Sequence, residues 1–508
     1  MMNQPEISVF GLVVLFAWVP AILIMFALMR PRWAVITAFV VGYLFLPEQS
    51  FRFQTIPPID KVSLTALGAI LGSFIFDGGR LLSVRWRLID LAWFVLLTSP
   101  FATSMVNGLG PMDGIAASLT LLFRWGLAYW IGRAYFTDWE AVRHLAMGII
   151  LGGLAYVPLC WWEIRMSPQL HGELYGMTFL SFRTDSYLFG VKLFGWRPNV
   201  FLADGLRVTM FMGVCSVLAF WAWMTGSPRK LLFMPMGWIA LVLIVTTFFC
   251  KALGGVMLMS GGMSVLLMTR WWPKTRLAAL LLILAAPTYM AVRSARDWSG
   301  DTLTQMANVI SPTRAESFAF RLKMENLLTE KALERPILGW GGWNRSHVYD
   351  IFDNHDRTIV DGLWIITLGE FGFVGLGALT IMIIGSVLLV WWRIPTRFWN
   401  DPACAAAVSL SVVLALYMID SLFNATFNPV ASLAVGAVAT IGGLSKTVFS
   451  RRNLAQAADA ERTGRSPAAR PAAARAGFAG APAFAGAGNA AVIASPKDLP
   501  YVYSPRRS

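Results

Sequence analysis

Arg335-Pro-Ile-Leu-Gly-Trp-Gly-Gly-Trp343, with Leu363-Trp-Ile-Ile-Thr-Leu-Gly-Glu-Phe-Gly-Phe-Val-Gly375 following it, breaks a chain that otherwise runs in long apolar segments. A charged loop rich in tryptophan and glycine is succeeded by an apolar helix whose Gly372 and Gly375 form a Gly-x-x-Gly element. Of 508 residues, 56% are hydrophobic and 14% charged, a composition that would leave a water-soluble protein with far too much exposed apolar surface. The fold class is therefore an all-α polytopic membrane protein, because a backbone in lipid must satisfy its own hydrogen bonds and helices do so.

Outward from that loop, apolar runs recur near 8–29, 33–47, 62–78, 88–105, 114–136, 142–162, 207–225, 231–249, 252–269, 277–292, 363–392, 403–423 and 430–448. They predict about 12–13 transmembrane helices, each long enough to approach or cross ~30 Å of hydrocarbon. Arg30, Arg32, Arg80, Arg85, Arg87, Arg133, Arg143, Arg229, Lys230, Arg270, Lys274, Arg276, Arg393 and Arg397 fall in alternate loops, which marks those loops as cytoplasmic. The segment Met1 to Phe10 carries no basic side chain and lies outside, as do two longer loops, 163–206 and 293–362. This distribution accounts for much of the +14 net charge and removes the reason to invoke nucleic acid. The first apolar run is followed by Arg30-Pro-Arg32 with no small-residue cleavage site, so it reads as a retained helix.

The predicted organisation is a transmembrane domain over 1–448, with the extracytoplasmic loop 293–362 inside it, and a cytoplasmic Ala/Pro/Gly/Arg-rich tail over 449–508. The tail contains Arg451 and Arg452, has too few branched apolar residues for a core, and is expected to be disordered. Its arginines either touch anionic headgroups or remain solvated. Cys160, Cys215, Cys250 and Cys404 fall in or at the ends of predicted helices without metal spacing, and read as small buried hydrophobes.

Within 293–362, Thr313 and Glu316 are spaced as a capping box, and Pro336 stops the helix that would follow. Arg314, Arg321, Leu328 and Arg335 recur every seven residues and so lie near one face. A row of guanidinium groups suits a phosphate-bearing ligand. The alternative is a surface helix whose arginines pair with Glu325, Glu330 and Glu334. Lys251 interrupts two apolar runs, Arg124 and Asp420 lie within predicted helices, and Arg197 and Arg207 flank the other outer loop. Ionisable groups in such segments mark either a ligand site or a structural ion pair, here Arg124 with Asp420.

The run Phe320-Arg321 … Glu334-Arg335-Pro-Ile-Leu-Gly-Trp-Gly, with Leu-Gly-Glu370-Phe-Gly372-Phe-Val-Gly375, resembles the O-antigen ligase/polymerase family, bacterial multi-pass glycosyltransferases of GT-C type. The likeness is strongest over 314–380, extends in topology over 1–448, and touches Trp196-Arg-Pro-Asn199 and Lys251-Ala-Leu-Gly-Gly. It implies a metal-independent, inverting enzyme of the bacterial inner membrane, without cofactor. The donor would be an undecaprenyl-pyrophosphate-linked glycan, and the acceptor a glycan or lipid-linked acceptor, polymerisation being favoured over ligation. Membrane lipids and other polysaccharide-assembly proteins are the further partners. By that likeness Arg321 is the loop arginine on the pyrophosphate, with Lys251 where members carry arginine, and Arg314, Arg335, Arg207 and Arg197 as further cations. Members place a histidine eleven residues before Gly372; here Asp361 stands there, and His355 lies six residues earlier, so either is the expected catalytic base. A lipid-linked oligosaccharide flippase or other secondary transporter, or a scaffold of a polysaccharide-export complex, are the other functions compatible with the same composition.

Overall fold

A computed structural model describes residues 8–51, 56–176, 187–188, 191–272, 277–295, 298, 300–310, 312–350 and 356–441. The tail expected to be disordered and the candidate base His355 lie outside the described residues, as does the side chain of Arg314.

Among the described residues the apolar segments are helices. The first half carries α1 (Val9–Leu28), α2 (Pro31–Phe45), α3 (Lys61–Leu82), α4 (Leu88–Val106), α5 (Pro111–Leu121), α6 (Leu127–Tyr135), α7 (Trp139–Met166) and α8 (Leu170–Tyr175). The second half carries α9 (Gly205–Thr225), α10 (Met236–Phe249), α11 (Leu253–Trp271), α12 (Leu277–Ser294), α13 (Asp301–Ile310) and α14 (Pro312–Leu333). It closes with α15 (Leu363–Thr380), α16 (Ser386–Arg393), α17 (Ala405–Asp420) and α18 (Pro429–Ile441). Strand among the described residues is limited to three antiparallel hairpins with two-residue arms, such as the one pairing Ser50 with Asp60.

Single π turns at Leu122–Gly126 and Ile381–Gly385 join α5 to α6 and α15 to α16 into continuous spans. Among the described residues nine helices or joined helices are long and apolar enough to cross a membrane. Four shorter apolar helices, α2, α10, α17 and α18, account for the remaining predicted segments. The protein is an all-α, multi-pass membrane protein.

The centre is formed by α9, α17 and α18, which are apolar on all sides and buried along nearly their whole length, as such helices must be. Small residues let them approach: a Cβ on Gly132 of α6 would lie 2.3 Å from the Leu433 carbonyl, and one on Gly436 of α18 would lie 2.1 Å from that of Tyr129. The four cysteines are free and buried, as read from their setting.

Two local expectations need correction. The helix carrying Arg321 begins at Pro312, so Thr313 lies inside it rather than capping it, and α13 precedes it. Its end at Leu333 agrees with Pro336 as a stop. Arg133 is not a loop residue: it sits in α6, 3% exposed, against Asp90.

Candidate functional site

The two pieces of the interrupting stretch meet. Within α15, Gly372 has φ 62° and ψ −164°, which breaks the helix. In an unbroken helix the N–H groups of Phe373 and Val374 would donate to the carbonyls of Gly369 and Glu370. Instead Phe373 donates to the Pro336 carbonyl (2.7 Å) and Val374 to that of Ile337 (3.2 Å). The two orphaned carbonyls are answered by Trp340, whose N–H reaches Gly369 at 2.8 Å, and by Gly341, whose N–H reaches Glu370 at 2.9 Å.

The Pro336–Gly341 strap thus replaces the missing turn, meeting the rule that irregular backbone within an apolar bundle must find protein partners. Leu338 and Gly339 carbonyls accept from Thr103 (2.5 Å) and the Asn107 amide (2.9 Å). Trp340 lies against the cations of Lys331 and Arg335, at 3.8 and 4.0 Å from the ring centroid. Only glycine fits at Gly339 and Gly372: both have positive φ, and a Cβ would come within 2.6 Å of Glu370 backbone and 2.3 Å of the Ile337 carbonyl.

Beyond the strap, Gly342, Trp343 and Asn344 help to line a cavity of about 460 Å³. Its wall also takes residues from the α2–α3 loop, α3, α5, the first π turn, α9, α15 and the segment leading into α18. Among the described residues six charged side chains line it: the cations Lys61, Arg124 and Arg207, and the carboxylates Glu48, Asp60 and Glu370. Glu48 lies 2.5 Å from Lys61 and 2.9 Å from Arg207. Burial alone would raise the Glu48 carboxyl, but Lys61 and Arg207 outweigh it and hold it below its ordinary value.

Lys61 also donates to the Phe201 carbonyl (3.1 Å). Asp60 caps α3 by accepting the Ser63 N–H at 2.8 Å, and its burial pushes its carboxyl up in spite of that bond. Asp204 caps α9 through Leu206 and Arg207 N–H, at 2.8 and 2.9 Å, which fixes the start of the helix bearing Arg207. Arg124 sits in the first π turn, whose displaced carbonyls accept from Trp93 (3.1 Å) and Ser432 (2.8 Å). Arg124 thereby joins the cavity wall and lies over Trp125, 5.3 Å from its ring centroid.

The residues singled out from sequence divide among several places. Arg207 lines the cavity. Arg321 lies 3.1 Å from Asp361 and 3.5 Å from the Phe423 carbonyl, in a segment that reaches the cavity two residues later at Ala425. Lys251 is 1% exposed, has φ 61°, and donates to the Gly195 carbonyl and to that of Leu193 (3.4 Å). Arg197 is buried, with Gly205 packed against it. Arg335 donates to Asn107 and covers Trp340.

The arginine row is shorter than expected: Arg321 and the buried Leu328 lie in α14, and Arg335 lies beyond the end of that helix. Nor does Glu325 serve the arginines of that helix. It is buried against Arg293 of α12 (2.5 Å) and Tyr289 (3.0 Å), and burial raises its carboxyl although Arg293 opposes this. Arg124 and Asp420, expected as a structural pair, take different neighbours, since Asp420 accepts from Thr426 and from Asn424 (2.8 Å).

Glu48, Asp60, Lys61 and Glu370 do not stand out from sequence as site residues. The available signal was a charge at the edge of, or inside, an apolar run, which Glu48, Lys61 and Glu370 all show. Compared with protein-family models and with curated proteins, the chain finds no match.

Proposed function

We propose that the protein is a GT-C-like glycosyltransferase that polymerises or ligates an undecaprenyl-pyrophosphate-linked glycan on the outer face of the bacterial cytoplasmic membrane. The observation that carries this reading is the cavity at the loop-bearing end of the bundle, in which Lys61, Arg124 and Arg207 converge. Three cations in one low-dielectric recess suit a lipid diphosphate, whose charge grows as it leaves the sugar. The alternation of basic loops supports an outward-facing cavity, where a lipid-linked donor and a glycan acceptor both have access.

In this reading Arg207 and Arg124 grip phosphate oxygens through their forked guanidinium groups, and Lys61 adds a point charge. Arg321 holds the 421–429 segment through the Phe423 carbonyl and so supports one cavity wall. The resemblance assigns the base to Asp361 or His355. Asp361 is engaged by Arg321 at 3.1 Å, which suits it to positioning that arginine.

The test is turnover by purified protein given a diphosphate-linked oligosaccharide. Lengthened or transferred glycan with release of undecaprenyl diphosphate is expected; an unchanged donor would sink the proposal. Arg321→Ala should lose high-molecular-weight glycan while the protein remains in the membrane.

A second reading, a lipid-linked oligosaccharide transporter, is favoured by the broken α15 beside a charged cavity, since transporters build their sites from discontinuous helices. Vesicles decide between them: a transporter moves the glycan across the bilayer with every glycosidic bond and the diphosphate linkage intact.

A further inference from the structure

Resting on the transferase reading, we infer that Glu370 is the general base that accepts the acceptor's proton. A base must face the substrate and have an oxygen lone pair available to it. Among the described residues each of the other carboxylates near the cavity already holds a cation or a polar hydrogen. Glu48 faces Lys61 and Arg207 at 2.5 and 2.9 Å. Asp60 and Asp204 cap α3 and α9, each at 2.8 Å from a backbone N–H. Asp361 is ion-paired with Arg321 at 3.1 Å, and Asp420 accepts from Thr426 and Asn424.

Glu370 lines the cavity, and among the described residues no hydrogen bond or ion pair engages its carboxylate; Arg124 is the charge that acts on it. Its depth argues the same way. Glu370 comes seven residues after Leu363, where α15 begins, or about 10 Å along the helix at ~1.5 Å per residue. A carboxylate so far into an apolar helix is expensive to keep and marks function by default. Its main chain is held on both sides: Gly341 donates to its carbonyl at 2.9 Å, and Gly339 packs against its backbone. The strap that repairs the helix break therefore also fixes where this carboxylate stands.

In the step, the acceptor hydroxyl gives its proton to a Glu370 oxygen, and its oxygen forms the new bond to the anomeric carbon. The bond from that carbon to the diphosphate breaks, and its electron pair leaves on undecaprenyl diphosphate, facing Lys61, Arg124 and Arg207. Glu370 then returns the proton to water through the cavity.

The experiment measures steady-state transfer by full-length protein in liposomes, with a synthetic undecaprenyl-diphosphate-linked oligosaccharide as donor. Glu370→Gln should lower kcat by about 10²-fold or more while the donor KM stays within about threefold, as expected for a lost general base. Formate added to Glu370→Ala should recover part of the rate by supplying a small carboxylate in the vacated space. Asp361→Asn and His355→Ala should each keep a rate well above that of Glu370→Gln. A Glu370→Gln enzyme with unchanged kcat, or with a raised KM and normal kcat, overturns the assignment and leaves the transferase reading standing. Absence of formate recovery in Glu370→Ala protein that melts like wild type overturns it as well. Failure of the wild-type protein to transfer any glycan defeats the transferase reading itself.

Discussion

Two ionic centres occupy opposite ends of α18, and they are built differently. At one end Arg133 is closed off. Its guanidinium donates twice to Asp90 (both 2.9 Å), to Thr440 (2.9 Å) and to the Arg85 carbonyl (2.8 Å), while Asp90 also accepts from Tyr129 at 2.6 Å. Both partners are at most 3% exposed. Arg87 completes this end by donating to the carbonyls of Ala439 and Thr440, at 3.1 and 2.8 Å, the last turn of α18. At the other end Glu48, Lys61 and Arg207 pair beside a cavity of about 460 Å³, with Arg124 and Glu370 on the same wall. A saturated pair can only hold helices together; a partly open set of charges can also receive a ligand.

The difference is broken most severely at the closed end. Arg133→Ala would leave Asp90 buried and uncompensated, so a loss of ~3–5 kcal/mol of stability is expected, read as a collapse of the melting temperature or of folded yield in detergent. Arg133→Ala protein that melts like wild type would mean that the closed centre holds nothing together. At the open end the converse is expected. Arg207→Ala should reduce glycan transfer by about 10²–10³-fold, in the range for removing one stabilising contact to a developing anion. Its effect on melting should be small, because the Arg207 side chain is 31% exposed. Equal losses of stability from the two arginine variants would erase the contrast.

A third test probes the strap behind the cavity. Gly372→Ala forces a side chain into positive φ against the Ile337 carbonyl, and a loss of at least ~1–3 kcal/mol is expected, with transfer falling in parallel. Hydrogen exchange should show faster opening of 336–341 and 369–375, and unchanged protection there would rule out the strap as a support. The smallest effect is in acid. Glu48 has its folded pKa below the ordinary 4.5, so its contribution is complete above that value and disappears as the pH falls through the folded one. The Glu48 share of the stability should therefore be lost only below about pH 4.5, and Glu48→Gln should flatten that part of the acid limb in melting curves.

The sequence reading located helices better than contacts. Each of the thirteen apolar runs contains a helix among the described residues, since hydropathy over a span depends on composition and length alone. The candidate site was read less completely. Arg207 was named and lines the cavity, and Arg321 and Asp361 were both named and stand together. Lys251, between α10 and α11, is turned to the Leu193 and Gly195 carbonyls, and Arg197 is buried with Gly205 packed against it, because the segment before α9 folds back onto the bundle. Lys61 and Glu48 gave a weaker signal, each standing at the border of an apolar run where a charge is unremarkable until its neighbours are known.

What the amino-acid sequence determined by itself was the membrane character, the positions of the helices and the alternation of basic loops. Those follow from the cost of exposing apolar side chains to water and polar backbone to lipid, and both costs are local. Only the tertiary structure decided that Gly339 meets the break at Gly372, that Arg133 closes on Asp90, and that Lys61, Arg124 and Arg207 share one cavity. Each of these joins residues from different segments, so it depends on how helices rotate and pack against their neighbours, which no single segment encodes.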